Sequence, residues 1–471
     1  MDCFGQLFIH QTPPGEFVSG KAAAIVKRME VIVMSMENQL KKLNEAVAAL
    51  EKSEGRERLN QLFDDGTFVE LDRLARDGDN PAEAVAGFGL VNGTPAYAFS
   101  QDKAVCSGCV SRAQAAKIRR IYELAAQNGA PVVGIFDSDG ARLTDGIDAM
   151  DAIAEILTVS NTLSGVVPQI AVVAGACVGS SALIASNADI VIAVKDADFY
   201  LNSGDEKDTA AVPAGDVFDA VEKARELLAL LPSNNLSSVP VYEFNGAAMA
   251  ACDSIDGVIE ALADDGTVFS LKPDAACQTV LARLGGVACG MVTLSGDAVC
   301  DCAASRVARF VRLCDSFSLP VVTFVDAAGF KGLKGAAKLS HAYAEATTAK
   351  LTVIVGRAYG PVYIAAAGKT AGADAVLAWP CAVISPVAPE TAIHILWRDR
   401  LEEMKNPSVE RDALAEEYAE TEGSPLKAAA DGFITDVIAP QETKARLMAM
   451  LEMLSGKRIA RLPKKHSNIQ L

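Results

Sequence analysis

The sequence predicts an α/β protein made of two halves that repeat one plan. Three kinds of segment support this prediction, because each occurs twice and in the same order along the chain. The first is an Asp-Asp-Gly-Thr turn, at 64–67 and 264–267. The second is an apolar strand that ends in an acidic Gly turn, at 131–146 and 320–331. The third is a strand followed by Gly-x-x-x-Gly, at 170–179 and 351–360. Three matched pairs in one order are hard to obtain by chance, so we interpret the chain as an internal duplication.

Composition and charge narrow the classes of function. The chain has 471 residues, of which 50% are hydrophobic, enough for two or three globular domains. Its formal net charge of −17 argues against nucleic acid or an anionic membrane surface as the main partner. Its 11 scattered cysteines favour a reducing cytoplasm over a disulfide framework. The first twenty residues lack a basic segment before an apolar core, so we predict no signal peptide and a cytoplasmic protein.

One uncharged stretch, 156–188, is long enough on a length count to span a membrane. Polar residues, several glycines and Pro168 interrupt it. We therefore predict a helix, a turn, a buried strand, a Gly turn and a second helix over this stretch.

Helices and linkers precede, separate and follow the repeats. Residues Lys21–Lys52 are rich in Ala, Met, Leu, Glu and Lys, which predicts one long amphipathic helix in an N-terminal extension, 1–54. This helix packs either on a partner or on its own domain. A linker-like segment, 202–246, contains a predicted helix, Val217–Leu231, and the tail beyond Trp397 is helical and charged. We place the two main domains at 55–245 and 246–471.

The elements expected within each half follow one order. A turn and strand lead to a hairpin, a helix, a strand with its acidic turn, a strand with its Gly turn, and an Ala-Asp step into a further strand. In the first half these segments are Leu62–Leu71, Gly87–Asp102, Ser111–Asn128, Val132–Phe136, Ile170–Ala174 and Ala188-Asp189. In the second half they are Leu262–Leu271, Leu284–Asp297, Ser305–Phe317, Pro320–Lys331, Leu351–Val355 and Ala373-Asp374. Arg142 and Asp145 are expected on the helix after the first acidic turn.

The side chains provide few catalytic signals. The 4 histidines form no metal-binding motif, and there is no Gly-x-Ser-x-Gly elbow or Walker loop. Cys106-x-x-Cys109 and Cys300-x-Cys302 both follow Ala-Val, so they are expected at matching places in the two halves. These four thiols bind Zn²⁺ if the halves abut, or are simply partly buried cysteines; the second spacing is atypical for zinc, and we predict no metal.

Backbone donors remain as the chemistry that the pattern supports. A strand, a Gly turn and a helix N-terminus together present N–H groups that stabilise a developing oxyanion. Because this unit occurs in both halves, it predicts two oxyanion sites. The alternative is that the glycines only make tight turns.

Several segments carry a family likeness: GRER, DSDGAR, GACVGSS and longer runs, at 55–58, 137–142, 175–181, 308–330, 342–360, 378–386, 431–443 and 463–471. With these segments, residues 55–471 resemble the carboxyltransferase subunits of biotin-dependent acyl-CoA carboxylases, such as propionyl-CoA carboxylase beta, and of methylmalonyl-CoA and glutaconyl-CoA decarboxylases. The resemblance implies two crotonase-like halves (the ClpP/crotonase superfold). It also implies a hexamer, a trimer of dimers, in which the N-terminal half of one subunit faces the C-terminal half of another.

The resemblance further implies transfer of CO₂ between carboxybiotin and the α-carbon of a short acyl-CoA, through a biotin enolate and a thioester enolate. Two groups of residues follow from it. The thioester hole and acyl-CoA contacts fall on Gly179, Ser180, Gly140, Ala141 and Arg142, and the biotin hole and biotin contacts fall on Gly360, Val362, Gly329, Phe330, Tyr359 and Pro361. Arg142 lies near the CoA phosphates or forms a structural ion pair with Asp145.

Three departures from the family pattern keep other functions open. Asp139 stands where the family has Gly, Ile364 stands where it often has an acidic residue, and Pro361 stands where it has a second Gly. Because proline has no N–H, one donor is missing on the biotin side. The chain is therefore an active carboxyltransferase, a catalytically impaired scaffold subunit, or a lone hydratase or hydrolase that uses Asp139 and Asp145.

The partners follow from motifs that the sequence lacks. No Ala-Met-Lys-Met biotinylation motif and no ATP-grasp loop is evident. We therefore expect biotin on a separate carrier protein, and a biotin carboxylase or a membrane decarboxylase subunit to complete the reaction. The protein would then lie in the cytoplasm, alone or peripheral to a membrane complex.

Overall fold

The structure is a computed structural model that describes residues 20–202, 204, 211–244, 246, 249, 250, 252–272, 277–402 and 407–468. The chain divides into two compact units, Met1–Ser53 and Glu54–Leu471. The first unit contains one long helix, α1 (Gly20–Ala48), which confirms the helix predicted over 21–52 but ends four residues earlier.

Among the described residues, the second unit contains two sheets of eight strands each and a separate two-stranded sheet in the first half. The strands of the first half are β1 (Val69–Leu71), β2 (Arg76–Asp77), β3 (Asn80–Pro81), β4 (Ala84–Val91), β5 (Thr94–Gln101), β6 (Val132–Ser138), β7 (Gln169–Val178), β8 (Ile190–Val194), β9 (Asp198–Tyr200) and β10 (Val212–Ala214). Those of the second half are β11 (Phe269–Ser270), β12 (Thr279–Leu284), β13 (Val287–Gly296), β14 (Val321–Ala327), β15 (Lys350–Tyr359), β16 (Ala375–Ala378), β17 (Val383–Ser385) and β18 (Asp436–Val437).

Helices cover these sheets. In the first half they are α2 (Glu54–Leu62), α3 (Arg112–Asn128), α4 (Ile147–Thr162), α5 (Ser180–Ser186) and α6 (Val217–Leu230). In the second half they are α7 (Val258–Leu262), α8 (Asp301–Ser316), α9 (Leu333–Glu345), α10 (Pro389–Leu396), α11 (Arg398–Glu402), α12 (Pro407–Thr421), α13 (Pro425–Ala430) and α14 (Thr443–Leu454).

The two sheets have the same topology. The first has the order β1-β4-β5-β6-β7-β8-β10 with β9 on β7, and the second has β11-β12-β13-β14-β15-β16-β18 with β17 on β15. In each, an antiparallel hairpin leads into parallel strands. The parallel strands are buried apolar runs, as expected when helices cover a sheet. The duplication predicted from the sequence is therefore confirmed.

The repeated Asp-Asp-Gly-Thr motif closes the hairpin turn of each half. The carboxylate of Asp64 accepts the N–H groups of Asn92 and Gly93 at 3.1 and 2.8 Å. The carboxylate of Asp264 accepts those of Gly285 and Gly286 at 3.1 and 2.7 Å. Aspartate suits this position because a short carboxylate satisfies two exposed turn donors at once. The motif is therefore structural in both halves.

The repeated Ala-Asp step joins two neighbouring parallel strands. Asp189 accepts the N–H of Gln169 at 2.9 Å, and Asp374 accepts that of Lys350 at 2.8 Å. Each carboxylate thus satisfies the first donor of the adjacent strand, β7 or β15.

The uncharged stretch 156–188 folds as predicted. It contains the end of α4, then β7, a Gly turn and α5. Among the described residues, no helix combines the length and apolarity needed to cross a membrane.

Three boundaries differ from the prediction. Arg142 and Asp145 precede α4 instead of lying on it, because Gly146 has φ of 57° and a single helical turn, Leu143–Asp145, intervenes. The helix predicted to begin at Ser305 begins at Asp301. The second hairpin begins at Thr279, before the predicted segment.

Candidate functional site

An aspartate precedes the last residue of β6 and of β14; Asp137 is buried and Asp326 is half-buried. The register between β6 and β7 shifts between Phe136 and Ser138, and that between β14 and β15 shifts between Val325 and Ala327. Asp137 and Asp326 lie at these two shifts. A bulge bends its strand and changes the direction of the residues that follow it. In both halves the strand therefore changes direction just before its acidic turn.

The first bulge aspartate holds the neighbouring strand through its carboxylate. Asp137 accepts the N–H of Ala176 at 3.2 Å and pairs with the guanidinium of Arg58 at 2.8 Å. Both side chains of the ion pair are nearly buried, at 7% and 11% exposure. A Cβ on Gly175 would lie 2.6 Å from a carboxylate oxygen of Asp137, so the first glycine of Gly-x-x-x-Gly is required by this approach.

The second bulge aspartate repeats the arrangement with a different cation. Asp326 accepts the backbone N–H and the side-chain Nε of Arg357, both at 2.8 Å. A Cβ on Gly356 would lie 2.6 Å from its carboxylate oxygen. Sequence reasoning missed Asp137 and Asp326 as residues that position the site. The signal was present, because each aspartate stands in register in its copy and is followed by the required glycine.

The first Gly turn joins β7 to α5. Gly179 has φ of 59°, its N–H donates to the carbonyl of Tyr200 at 3.1 Å, and its carbonyl accepts the N–H of Leu183 at 3.2 Å. Its N–H is thus already used, and we revise the prediction that it donates to an oxyanion. The first N–H groups of a helix lack an intrahelical acceptor, so the donors that this turn offers are those of Ser180 and Ser181.

The second Gly turn has the same hydrogen bonds. Gly360 has φ of 39°, its N–H donates to the carbonyl of Ser385 at 2.9 Å, and its carbonyl accepts the N–H of Ile364 at 3.0 Å. The donor role predicted for Gly360 is therefore revised in the same way. Pro361 occupies the first helical position, where its fixed φ is compatible with the turn. It supplies no N–H, and the next donor is that of the buried Val362.

The acidic turns lie beside the Gly turns at the same edge of each sheet. In the first sheet Ser138 pairs with Cys177, and these two residues lie two positions before Gly140 and Gly179. In the second sheet Ala327 pairs with Ala358, and they lie two positions before Gly329 and Gly360. The hydroxyl of Ser138 accepts the N–H of Gly140 at 3.1 Å and contacts the hydroxyl of Ser181 at 3.0 Å. The structure therefore brings the predicted Gly140 and Ser180 segments together.

The loops after the bulges are fixed in the same way in both halves. Val110 donates to Gly140 at 2.8 Å and accepts from Arg142 at 3.2 Å, forming a bridge with Ala141. In the second half, Val299 donates to Gly329 at 2.8 Å, accepts from Lys331 at 2.9 Å and forms a bridge with Phe330. Gly329 and Phe330 are thus the counterparts of Gly140 and Ala141. Tyr359, at the end of β15, is buried, and burial raises the pKa of its phenol.

Arg142 lies among carboxylates. It forms ion pairs with Asp77 and with the fully buried Glu83, and its Nε lies 4.0 Å from Asp145. The hydroxyl of Ser111 donates to Glu83 at 2.7 Å, which fixes that carboxylate. A phosphate at this guanidinium would be repelled by three carboxylates. Arg142 was considered either for binding the CoA phosphates or for a structural ion pair, and its contacts in the fold are those of a structural ion pair.

The two cysteine pairs do not occupy matching places. Val110 and Val299 form equivalent bridges, so the residue that corresponds to Cys300 is Ser111, not Cys106. Both Ser111 and Cys300 cap the following helix. The Ala-Val dipeptides misled the alignment because the first half has four more residues in this connection, 13 from Tyr97 to Val110 against 9 from Gly290 to Val299. Within the described part of the chain, no group of three or more His, Cys, Asp or Glu side chains is arranged to hold a metal ion.

The thiols differ in their surroundings. Sγ of Cys300 lies 2.7 Å from Sγ of Cys302 and accepts the N–H of Ala303 at 3.4 Å. These hydrogen bonds lower the pKa of the Cys300 thiol. Burial raises the pKa of the Cys109 thiol.

The carboxylates considered for a hydratase face cations. Asp139 lies 3.6 Å from Nζ of Lys103, with both side chains about half exposed, and Asp145 lies at Arg142. An acid–base pair at a thioester would need an apolar, enclosed setting to hold a proton. The solvent-exposed pairing of Asp139 therefore gives this alternative little support.

Comparison with known proteins agrees with this geometry. The carboxyl transferase domain family matches residues 51–205 and 206–469. The alpha subunit of methylmalonyl-CoA decarboxylase from Veillonella parvula is 32% identical over 483 residues, covering 89% of this chain and 93% of that one. The propionyl-CoA carboxylase beta chain from Saccharopolyspora erythraea is 33% identical, with 98% of each chain covered.

A solved structure extends the similarity to the fold. Hexameric transcarboxylase 12S, with methylmalonyl-coenzyme A and methylmalonic acid bound, has a TM-score of 0.82 and 29% identity. The match covers 98% of this chain and 100% of that one. The two repeated sheets are therefore the two crotonase-like halves that the sequence resemblance implied.

Proposed function

The chain belongs to the carboxyl transferase family, and from that membership we propose that it moves a carboxyl group between biotin on a separate carrier protein and the α-carbon of a short acyl-CoA. As a member of this family it is a biotin-dependent carboxyltransferase. In this proposal the half at 55–245 binds the acyl-CoA and the half at 246–471 receives biotin. The active assembly is a hexamer, a trimer of dimers, in which the two kinds of half face each other across subunits.

The observation that carries the proposal is the repeated Gly turn. Each half uses a positive-φ glycine whose N–H and carbonyl are bound within the fold, which leaves the following N–H groups at a helix start. Fixed donors of this kind stabilise an oxyanion without reorganising during the reaction. Two such turns match a reaction in which two oxyanions develop.

In the first half, the N–H groups of Ser180 and Ser181 would stabilise the thioester oxygen as the α-carbon becomes nucleophilic. Asp137 and Gly140 act on this step indirectly, because they hold the turn and the loop beside it. No ionisable side chain of this half needs to act as the acid or base in this scheme.

The second half fits a biotin carbonyl with one backbone hydrogen bond. Biotin, when bound, would carry the carboxyl group. The turn keeps its hydrogen bonds around Pro361, and Val362 supplies the N–H. Tyr359 and Phe330, at the end of β15 and in the neighbouring loop, are an aromatic border for an apolar bicyclic ring.

Carboxyl exchange tests the proposal. We expect purified full-length protein, given free biotin, to remove carboxylate from one of malonyl-, methylmalonyl- or glutaconyl-CoA, and to lose that activity without biotin. Binding of these thioesters without turnover on any of them would contradict the proposal. That outcome would favour a scaffold subunit, for which the missing donor at Pro361 is the specific observation.

Removing an N–H from the first turn and adding one to the second measures how much one backbone donor contributes to the rate of carboxyl exchange. Ser180→Pro removes one N–H from the first turn, whereas Ser180→Ala keeps it and is the matched control. Removing one oxyanion donor costs about 10²–10³ in rate, so we expect that loss for Ser180→Pro and near-normal exchange for Ser180→Ala.

The reciprocal variant, Pro361→Gly, restores an N–H to the second turn. We expect it to raise exchange, by up to about 10²-fold if the donor reaches the biotin oxygen. An unchanged rate would mean that Val362 alone is sufficient there.

A further inference from the structure

Helix α1 (Gly20–Ala48) carries an apolar pattern that the carboxyltransferase proposal does not use. Apolar residues recur at alternating spacings of three and four residues, at 22, 26, 29, 33, 36, 40, 43 and 47, and Leu50 continues the spacing just beyond the end of the helix. This is a heptad repeat of nearly four heptads, in which Val26, Val33, Leu40 and Val47 take position a. Within the helix, position d is taken by Ala22, Met29, Met36 and Leu43.

Five of the described side chains of this seam are exposed, and Val47 is half-buried. Met29, Val33, Met36, Leu40 and Leu43 retain between 45% and 62% of their accessible surface. An apolar stripe of this length, open to solvent along one side of a helix, marks an interaction surface. The repeat of 3.5 residues is the period at which a second helix can follow the stripe along its whole length.

We propose that α1 pairs with α1 of a second copy of this chain as a parallel, two-stranded coiled coil. The occupant is a second copy because the seam is complementary to itself. Valine at three of four a positions combined with unbranched or γ-branched Met and Leu at d is the combination that favours parallel dimers. The proposal does not depend on the carboxyltransferase activity.

The residues that flank the seam favour the parallel arrangement. In parallel pairs, each g residue faces the e residue of the partner's next heptad: within the helix, Ile32 faces Glu37 and Gln39 faces Asn44. Neither pair brings like charges together. In an antiparallel arrangement centred on residue 34, e faces e, which would place Glu37 near Glu30. The charge pattern therefore opposes the antiparallel alternative.

Three more exposed apolar residues, Val31, Ile32 and Met34, lie outside the seam at positions f, g and b. They surround Val33, whereas no exposed large apolar residue outside the seam adjoins Leu40. The first test variant is therefore placed at Leu40, in the C-terminal half of the helix.

Disulfide trapping on the full-length chain tests the proposal. In a parallel, in-register pair, the same a residue of both helices faces itself at a distance that a disulfide can bridge. We expect Leu40→Cys to give a covalent dimer after mild oxidation, seen as a doubled mass on a non-reducing gel. Asn38→Cys, at the outer position f, is the matched control and should stay monomeric on that gel, as should the wild type with its own cysteines.

A second seam position determines the direction of the pair. Val33→Cys should also cross-link to itself in a parallel pair, whereas an antiparallel pair would place residues 33 and 40 opposite other positions. Absence of the Leu40→Cys dimer, with α1 still helical by circular dichroism, would overturn the proposal and leave a different protein or a membrane as the occupant. Equal cross-linking of Leu40→Cys and Asn38→Cys would also overturn it, because random collision would then explain both.

Discussion

The two bulge aspartates provide a comparison within one chain. Asp137→Asn and Asp326→Asn make the same chemical change at equivalent positions of the two halves. Each removes the charge of a carboxylate while keeping its size. The consequences should differ, because the cations that face the two carboxylates have different surroundings.

The difference can be worked out from the ion pairs. Arg58 is 11% exposed, and without the charge of Asp137 it keeps only an exposed glutamate, Glu54, at 3.0 Å and a backbone carbonyl at 3.2 Å. Breaking a buried ion pair from one side costs about 3–5 kcal/mol, so we expect about 3 kcal/mol here. Arg357 is 35% exposed and keeps Asp297 at 2.7 Å, so Asp326→Asn should cost about 1 kcal/mol.

Thermal unfolding at one protein concentration measures this difference. At about 2.1 cal/mol/K per residue, about 1 kcal/mol shifts the Tm of the compact unit Glu54–Leu471 by about 1 °C. We therefore expect Asp137→Asn to lower the Tm by about 3 °C and Asp326→Asn by about 1 °C. Equal shifts, or a larger shift for Asp326→Asn, would refute the reasoning that burial of the paired cation decides the cost.

Two further predictions concern titratable groups. Burial raises the pKa of Asp189 from its ordinary 3.8 to about 6, so the folded protein holds this proton where the unfolded chain has lost it. The stability of the wild type relative to Asp189→Asn should then fall as pH rises from about 4 to about 6, by up to about 3 kcal/mol. A difference between wild type and Asp189→Asn that stays flat over this pH range would contradict the prediction. The pKa of the Cys300 thiol is lowered, so we expect its alkylation by iodoacetamide to begin at lower pH than that of an ordinary thiol. Cys302→Ala should raise the pH at which alkylation of Cys300 is half-maximal. If that pH does not change, the thiol–thiol hydrogen bond is not the cause of the lowered pKa.

The prediction of two units, each a strand, a Gly turn and a helix start, is confirmed. These three elements require one local geometry, and both copies of it formed at 175–181 and 356–362. The acceptors of the glycine N–H groups were not predicted. The N–H groups of Gly179 and Gly360 are bound to Tyr200 and Ser385, which lie more than twenty residues away along the chain. Local sequence does not show which carbonyl will arrive there.

The cysteine alignment failed for a related reason. Two Ala-Val-Cys triplets look equivalent, but a helix cap is identified by the side chain that accepts its N–H. Only the structure showed that Ser111 and Cys300 perform this role, through Gln114 and Ala303.

By itself, the sequence determined the duplication and the order of the elements. It could do so because apolar periodicity and glycine positions act over a few neighbouring residues. Only the tertiary structure decided which donors remain free, that Arg142 is enclosed by Asp77, Glu83 and Asp145, and that Asp137 and Asp326 hold the turns. Those outcomes depend on groups far apart in the chain, whose meeting is set by the packing of the whole sheet and not by local preference.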